Sequence, residues 1–202
     1  MSKFVHLHNH SQYSLLDGLS KIPALIKSVK DMGMDSLGLT DHGVMYGAIE
    51  FYKACQEAGI KPIIGVEMYI AKRSHKDKEG KVDTEPFHLT VLAKNYQGYL
   101  NLMKLTTIAH TQGYYYRPRV DKALLKQFHE GLIALSGCPS SEFSRSLSGK
   151  DLNKSEEVLR SYLDIFGEGN FYLELQRHPY EENLASAQDP TVRKDLGELL
   201  EI

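Results

Sequence analysis

The chain has 202 residues, 42% of them hydrophobic and 25% charged, with only 7 Pro. That balance excludes disorder, collagen and coiled coil and leaves enough apolar material for one sizeable α/β core. A formal net charge of −2 supplies no global basic field, so any nucleic-acid contact has to be local or come from outside the chain.

Short β-branched runs alternate with amphipathic stretches along the whole sequence, which is the pattern of successive βα units and a largely parallel sheet. The first strand is expected over 4–7. A helix follows over 22–32, with Ser20 as N-cap, Pro23 in the first turn and Gly33 as the stop. A strand over 36–39 leads to a helix over 46–58, where Ala48, Phe51, Cys55 and Ala58 share a face and place Cys55 in the core. Strands over 62–70 and 87–93 precede helices over 96–110 and 122–128. A strand over 132–136 leads to a helix over 155–166, with Val158, Leu159, Tyr162 and Phe166 facing inward. A last strand over 171–175 and a helix over 191–200 complete the pattern, which fits a barrel and an open doubly wound sheet equally well.

Two stretches interrupt it. Residues 72–85 are almost pure charge and read as an exposed, mobile loop. Gly113-Tyr-Tyr-Tyr-Arg-Pro-Arg-Val120 interleaves aromatics with arginines as single-strand binders do, and a packed turn explains it at least as well. No apolar run approaches the roughly 20 residues that cross a bilayer, and the N-terminus has no secretory core. Cys55 and Cys138 cannot form a disulfide framework. A cytoplasmic protein without membrane contact is expected.

Histidine is the anomaly: nine are present, three of them within the first ten residues. His6, His8 and His10 recur at the period of a strand and would share one face. Packing would select an aliphatic there, and co-facial imidazoles repel when protonated unless a cation accepts their lone pairs. His42 and Asp41 follow the second predicted strand, where an α/β fold keeps its working groups; Asp41 reads equally as an Asx turn capping the next helix. Glu67 lies inside an otherwise apolar strand, where an unpaired carboxylate would be costly, so it calls for a cation. His88 lies at the start of its predicted strand, an awkward place for a site at the strand ends. Cys138 directly follows a strand and is either a small buried hydrophobe or a ligand, and Asp17 is either a turn former or a ligand. Mixed nitrogen, carboxylate and sulfur donors suit zinc, manganese or iron better than calcium or magnesium alone. There are more donors than one tetrahedral zinc needs, which points to two or three ions bridged by Glu67, an arrangement that hydrolyses phosphoesters.

His8-Asn9-His10-Ser11, Thr40-Asp41-His42-Gly43, Gly65-Val66-Glu67 and Ser136-Gly137-Cys138 closely resemble the PHP (polymerase and histidinol phosphatase) superfamily. The fuller stretches 4–18, 61–65 and 116–121 resemble the PHP domains that open bacterial DNA polymerase III alpha subunits. The resemblance covers residues 4 to about 202, so that 1–202 reads as one PHP domain. It implies a distorted (β/α)7 TIM-like barrel with up to three divalent ions, magnesium remaining possible beside the metals above. The family's ligands fall on His8, His10, Asp17, His42, Glu67, His88 and Cys138, with Glu67, Asp17 and His42 as the expected catalytic set. His6 stands where many members carry Asp and is expected behind the ligands. The family's final Asp-x-His is absent from 139–202, so the barrel is expected to be incomplete at its C-terminal end, with weak metal affinity, poor solubility and little activity of its own.

The resemblance implies a 3′–5′ exonuclease site within a replicative polymerase, whose partners would be DNA, a sliding clamp and a proofreading subunit. The alternatives are a non-catalytic, metal-stabilised scaffold that docks a proofreading subunit, and a free-standing phosphatase of the histidinol-phosphate type.

Overall fold

The computed structural model describes residues 4–15 and 17–176. Among these the chain runs α1 (Ile22–Asp31), β1 (Ser36–Leu39), α2 (Ala48–Ala58), β2 (Lys61–Ile70), β3 (Phe87–Ala93), α3 (Tyr96–Thr111), β4 (Tyr114–Tyr115), β5 (Arg117–Val120), α4 (Lys122–Gln127), β6 (Leu132–Leu135), α5 (Glu142–Ser148), α6 (Leu152–Phe166) and β7 (Phe171–Tyr172). The helix expected over 191–200 lies outside the described residues. The strands form one sheet in the order β4-β5-β2-β3-β6-β7, with β1 also on β2. Among the described residues this sheet is not closed.

Local chemistry moves several boundaries. Lys21, not Ser20, takes the N-cap position of α1, without a side-chain bond to the helix. α6 starts three residues earlier than its apolar face suggests, because the Asp151 carboxylate accepts the Lys154 N–H and caps the new first turn. α5 was not expected: Phe143 and Leu147 are its only apolar residues in seven positions, too few to set a period, and Ser141 caps it by accepting the Ser144 N–H. No regular strand forms over 4–7. The segment still lies along β1, with His6 O accepting from Gly38 N–H at 2.8 Å and Asn9 O from Thr40 N–H at 2.9 Å. It comes so close that a Cβ on Gly38 would sit 2.5 Å from the Leu7 carbonyl oxygen.

The sheet is mixed rather than largely parallel. β1 and β5 pair with β2 in parallel, and β7 pairs with β6 in parallel, but β3 is antiparallel to both β2 and β6. The start of β3 therefore lies at the same rim as the ends of β2 and β6. Along β2 the strand period of two separates the faces. Val66, Met68 and Ile70 join Leu89 and Val91 of β3 in a core with Leu102 and Leu105 of α3 and Val158 and Tyr162 of α6. Gly65, Glu67 and Tyr69 alternate with them and face the other way, opposite Leu92, Thr90 and His88 in register. A second cluster packs Ile22, Ile26 and Val29 of α1 with Leu37, Leu39, Phe51 and Cys55, so Cys55 is a core residue.

The charged stretch 72–85 is pinned instead of free. Arg119 is fully buried. Its guanidinium donates to the carbonyls of Asp83 at 3.0 Å, His75 at 3.1 Å, Asp77 at 2.7 Å and Gly113 at 3.1 Å. One side chain thus holds the loop against the sheet, and without it several buried carbonyls would lose their donor. Arg119→Met is expected to lower stability by on the order of 3 kcal/mol, measured by denaturant unfolding.

Asp121 supports the same loop. Its side chain accepts the Leu124 N–H as cap of α4, the His75 N–H at 2.9 Å, and the His75 ring Nδ1. Burial alone would raise its pKa, but these bonds outweigh burial and hold it below the ordinary 3.8. The folded chain therefore binds this proton less tightly than the unfolded chain, so the stabilisation is full above the ordinary value and is lost as pH falls from there through the lower value of the folded chain. Asp121→Asn is expected to melt below the parent at pH 7, with the gap closing as thermal unfolding is repeated below about pH 4.

Candidate metal centre

Glu67, 1% exposed, stands at the centre of the site. Its Oε2 lies 3.4 Å from His8 Nε2, 3.1 Å from His10 Nε2 and 2.8 Å from His42 Nδ1. Its Oε1 lies 2.9 Å from His88 Nδ1 and 3.3 Å from Cys138 Sγ. Asp17 meets the other side of His42, with Oδ2 2.9 Å from Nε2. All seven residues singled out as ligands are therefore gathered at one rim, although they come from six separate places in the chain.

Each element delivers its residue for a local reason. His8 and His10 come from the N-terminal segment laid along β1. His42 arrives just after β1, where the backbone bridges to Glu67 and Gly43 N–H donates to Glu67 O at 2.9 Å. Cys138 follows β6, and Gly137 before it takes a φ of 87°. His88 fits because β3 is antiparallel: the start of this strand is at the rim where its neighbours end, so the awkward placement expected from a parallel sheet disappears.

Two sequence expectations change. His6 is exposed and packs edge-on against Phe4 at 4.9 Å. It makes no ion pair with Glu67, because residues 4–7 lack the regular strand that would have aligned three histidines. Asp41 is neither an Asx cap of the next helix nor a partner of the imidazoles. It is buried and accepts Ser11 N–H at 2.6 Å, Ser11 Oγ at 2.8 Å and Ser14 Oγ at 2.8 Å. Ser14 Oγ in turn lies 3.0 Å from His10 Nδ1, so Asp41 anchors the turn that carries His10.

Sequence reasoning passed over Glu174 and Thr90. Glu174 Oε1 is 2.7 Å from His8 Nδ1, and Thr90 Oγ1 is 3.1 Å from the same atom. Glu174 carried the same signal as Glu67, a carboxylate between apolar neighbours at a strand end. Thr90 carried none beyond its place in β3.

The electrostatics describe an anion enclosed by imidazoles. Burial would raise the Glu67 pKa, but contacts with His10, His42, His8 and His88 outweigh it and hold the carboxyl far below the usual range. Burial opposes protonation of His8, yet Glu174 and Glu67 raise its pKa to about 9. Burial and the Glu67 charge push the Cys138 thiol up to about 12. His42 Nδ1 and Glu67 Oε2 are buried and, although 2.8 Å apart, neither takes a hydrogen bond. Such orphaned atoms are costly unless something else satisfies them. A divalent cation fits, because His8, His10 and Glu67 form one group of converging donors and His42, Glu67 and His88 another, each within 4.8 Å. Glu67 belongs to both, as a bridging carboxylate would.

The PHP domain profile matches residues 6–178. The chain belongs to the PHP domain family. Among curated proteins this PHP domain is 47% identical over 181 residues to DNA polymerase III subunit alpha of Borreliella burgdorferi, covering 88% of this chain and 15% of that protein. It is 46% identical over 180 residues to the Thermus aquaticus protein of the same name, covering 87% and 15%. It is 43% identical over 203 residues to that of Chlamydia pneumoniae, covering 98% and 16%. The chain thus spans about a sixth of the length of these relatives. Among solved structures, a provisionally assigned metal-dependent phosphoesterase of Bifidobacterium adolescentis covers 96% of this chain and 82% of its own, at 14% identity and a TM-score of 0.49. Among the described residues no helix is long and apolar enough to cross a membrane.

A cation that binds the folded chain alone raises stability by about 2.7 kcal/mol at one hundred times its Kd. Manganese or zinc is therefore expected to raise the melting temperature of the parent chain measurably and that of Glu67→Ala little, as read by differential scanning calorimetry.

Proposed function

We propose that this PHP domain is the N-terminal region of a DNA polymerase III alpha subunit and that its site hydrolyses phosphodiesters as a 3′–5′ exonuclease. The observation that supports this most is Glu67: an ionised carboxylate, buried, with an orphaned oxygen amid four imidazoles and a thiol. His8, His10, Asp17, His42, Glu67, His88 and Cys138 would hold up to three ions of zinc, manganese or iron, with magnesium as a further occupant. When bound, such ions supply Lewis acidity and an activated water.

The chain's own side chains do the rest. Glu67 provides the fixed negative charge that both donor groups share. Glu174, accepting at His8 Nδ1, orients that ring so that Nε2 faces Glu67. Asp17 is the most exposed carboxylate of the site, and its Oδ2 with His42 Nε2 forms the pair placed to accept and hold a proton at the mouth. Glu67, Asp17 and His42 are accordingly the catalytic set. In this reading the substrate is the 3′ end of DNA, the larger polymerase brings the sliding clamp and a proofreading subunit as partners, and the work is done in the cytoplasm.

The test is release of mononucleotides from a 3′-mismatched primer by the polymerase subunit that carries this domain. Glu67→Ala is expected to slow release by at least about a hundredfold, since losing the shared ligand costs no less than losing a partner that only orients a ligand. Equal rates in parent and variant, together with a lowered melting temperature, would instead make the domain a metal-stabilised scaffold.

A further inference from the structure

The aromatic and arginine run at 113–120 forms a tight hairpin, β4 against β5, with Tyr114 opposite Pro118 and Tyr115 opposite Arg117. β5 pairs in parallel with the end of β2, which brings the hairpin to the rim of the metal centre. Gly43, with a φ of 63°, makes room for it: a Cβ there would sit 2.8 Å from Pro118 Cγ. The Arg117 guanidinium lies over the Tyr69 ring at 5.6 Å, and Tyr69 is stacked on His42 at 5.8 Å with 17° between the planes. Arg117, Tyr69, His42 and Glu67 therefore form one continuous line from solvent to the buried carboxylate.

We infer that this hairpin is the surface that receives single-stranded DNA leading into the site, with Arg117 contacting backbone phosphate and Tyr116 stacking on a base. Three observations carry it. Arg117 is exposed and makes no ion pair with a carboxylate among the described residues, although the neighbouring centre is rich in acids. A guanidinium left free beside a phosphodiester site is complementary to the backbone of the substrate strand.

Tyr116 is 68% exposed and takes a φ of 58°, a conformation that L side chains seldom adopt. Its ring is braced edge-on by Tyr115 at 4.9 Å, and Tyr115 is braced by the buried Arg119 at 5.4 Å. The exposed ring is thus held by the arginine that pins the 72–85 loop, and a rigid aromatic face of this kind binds bases without sequence preference. Continuity with the centre gives the direction: a strand stacked at Tyr116 and held at Arg117 points its next phosphates at His42.

The inference rests on the phosphodiester reading of the site for its direction but not for its test, which reads binding without turnover. Fluorescence anisotropy of a labelled dT10 oligonucleotide is measured on the chain in EDTA. Tyr116→Gly, which suits the backbone and removes the ring, is expected to weaken binding about tenfold. Arg117→Ala is expected to lower affinity and to flatten the dependence of log K on log salt by about 0.7, whereas Arg117→Lys keeps most of that slope. Far-ultraviolet circular dichroism melts unchanged from the parent show that each variant is folded.

Affinity within twofold of the parent in both Tyr116→Gly and Arg117→Ala overturns the inference and leaves the hairpin as a contact for a protein partner. If Glu67→Ala proves to leave nucleotide release unchanged while the hairpin variants still lose oligonucleotide affinity, the strand surface stands and only the hydrolytic reading falls.

Discussion

A carboxylate cannot be buried in a sheet without something to balance it, and Glu67 is the residue on which the rest of the site depends. The strand that carries it is apolar on one face because that face meets α3 and α6. On the other face Glu67 is reached by four imidazoles and a thiol. Their effect outweighs burial and keeps the carboxyl ionised. Removing its neighbours would leave a buried charge, and removing Glu67 would leave imidazoles crowded together, so the cluster is a unit in which no member is satisfied alone. Even within the unit one carboxylate oxygen and one imidazole nitrogen stay unbonded, and a cation between them would satisfy both.

Two features of the scaffold make that gathering possible. The first is the reversal of β3, which carries His88 to the rim where β1, β2 and β6 end. The second is the long connection from β2 to β3 that this reversal permits. It folds over the sheet and is fastened by Arg119, a buried cation whose guanidinium reaches four backbone carbonyls. The same arginine supports Tyr115 from behind, so the loop and the aromatic hairpin share one anchor. Stability of the outer wall and presentation of the hairpin are in this way one structural problem.

The shell around the donors follows an equally economical logic. Asp41 holds Ser11 and Ser14, and Ser14 reaches His10. Glu174 and Thr90 meet His8 from the side opposite Glu67. These groups hold rings in orientations that expose a nitrogen toward the centre, which is the work outer partners do in metal sites. Tyr69 adds a stacked wall against His42 and passes the site on to the surface.

The α/β class, most of the helices and strands, and the side chains that gather around Glu67 were legible in the linear sequence. Histidines at 8 and 10, a carboxylate inside an apolar strand and a thiol after another strand are visible because each contradicts what packing alone would select. Cys55 was legible as core for the opposite reason, since it continues the apolar face of α2. What remained hidden depended on contacts between distant segments. The direction of β3 is set by pairing with β2 and β6, and no local pattern in residues 87–93 encodes it. The 72–85 loop looks unattached because charged residues dominate it, while it is anchored by Arg119 on its backbone carbonyls and by Asp121 on His75, contacts with distant segments that its own residues do not announce. His6 departs from His8 and His10 because its carbonyl and that of Asn9, three residues apart, accept from Gly38 and Thr40, two residues apart on β1, so one extra residue breaks the strand period between them. Residue type thus marked the polar groups that packing alone would not select, and the tertiary structure brought them together, because convergence on one buried charge is a property of chain direction and loop anchoring.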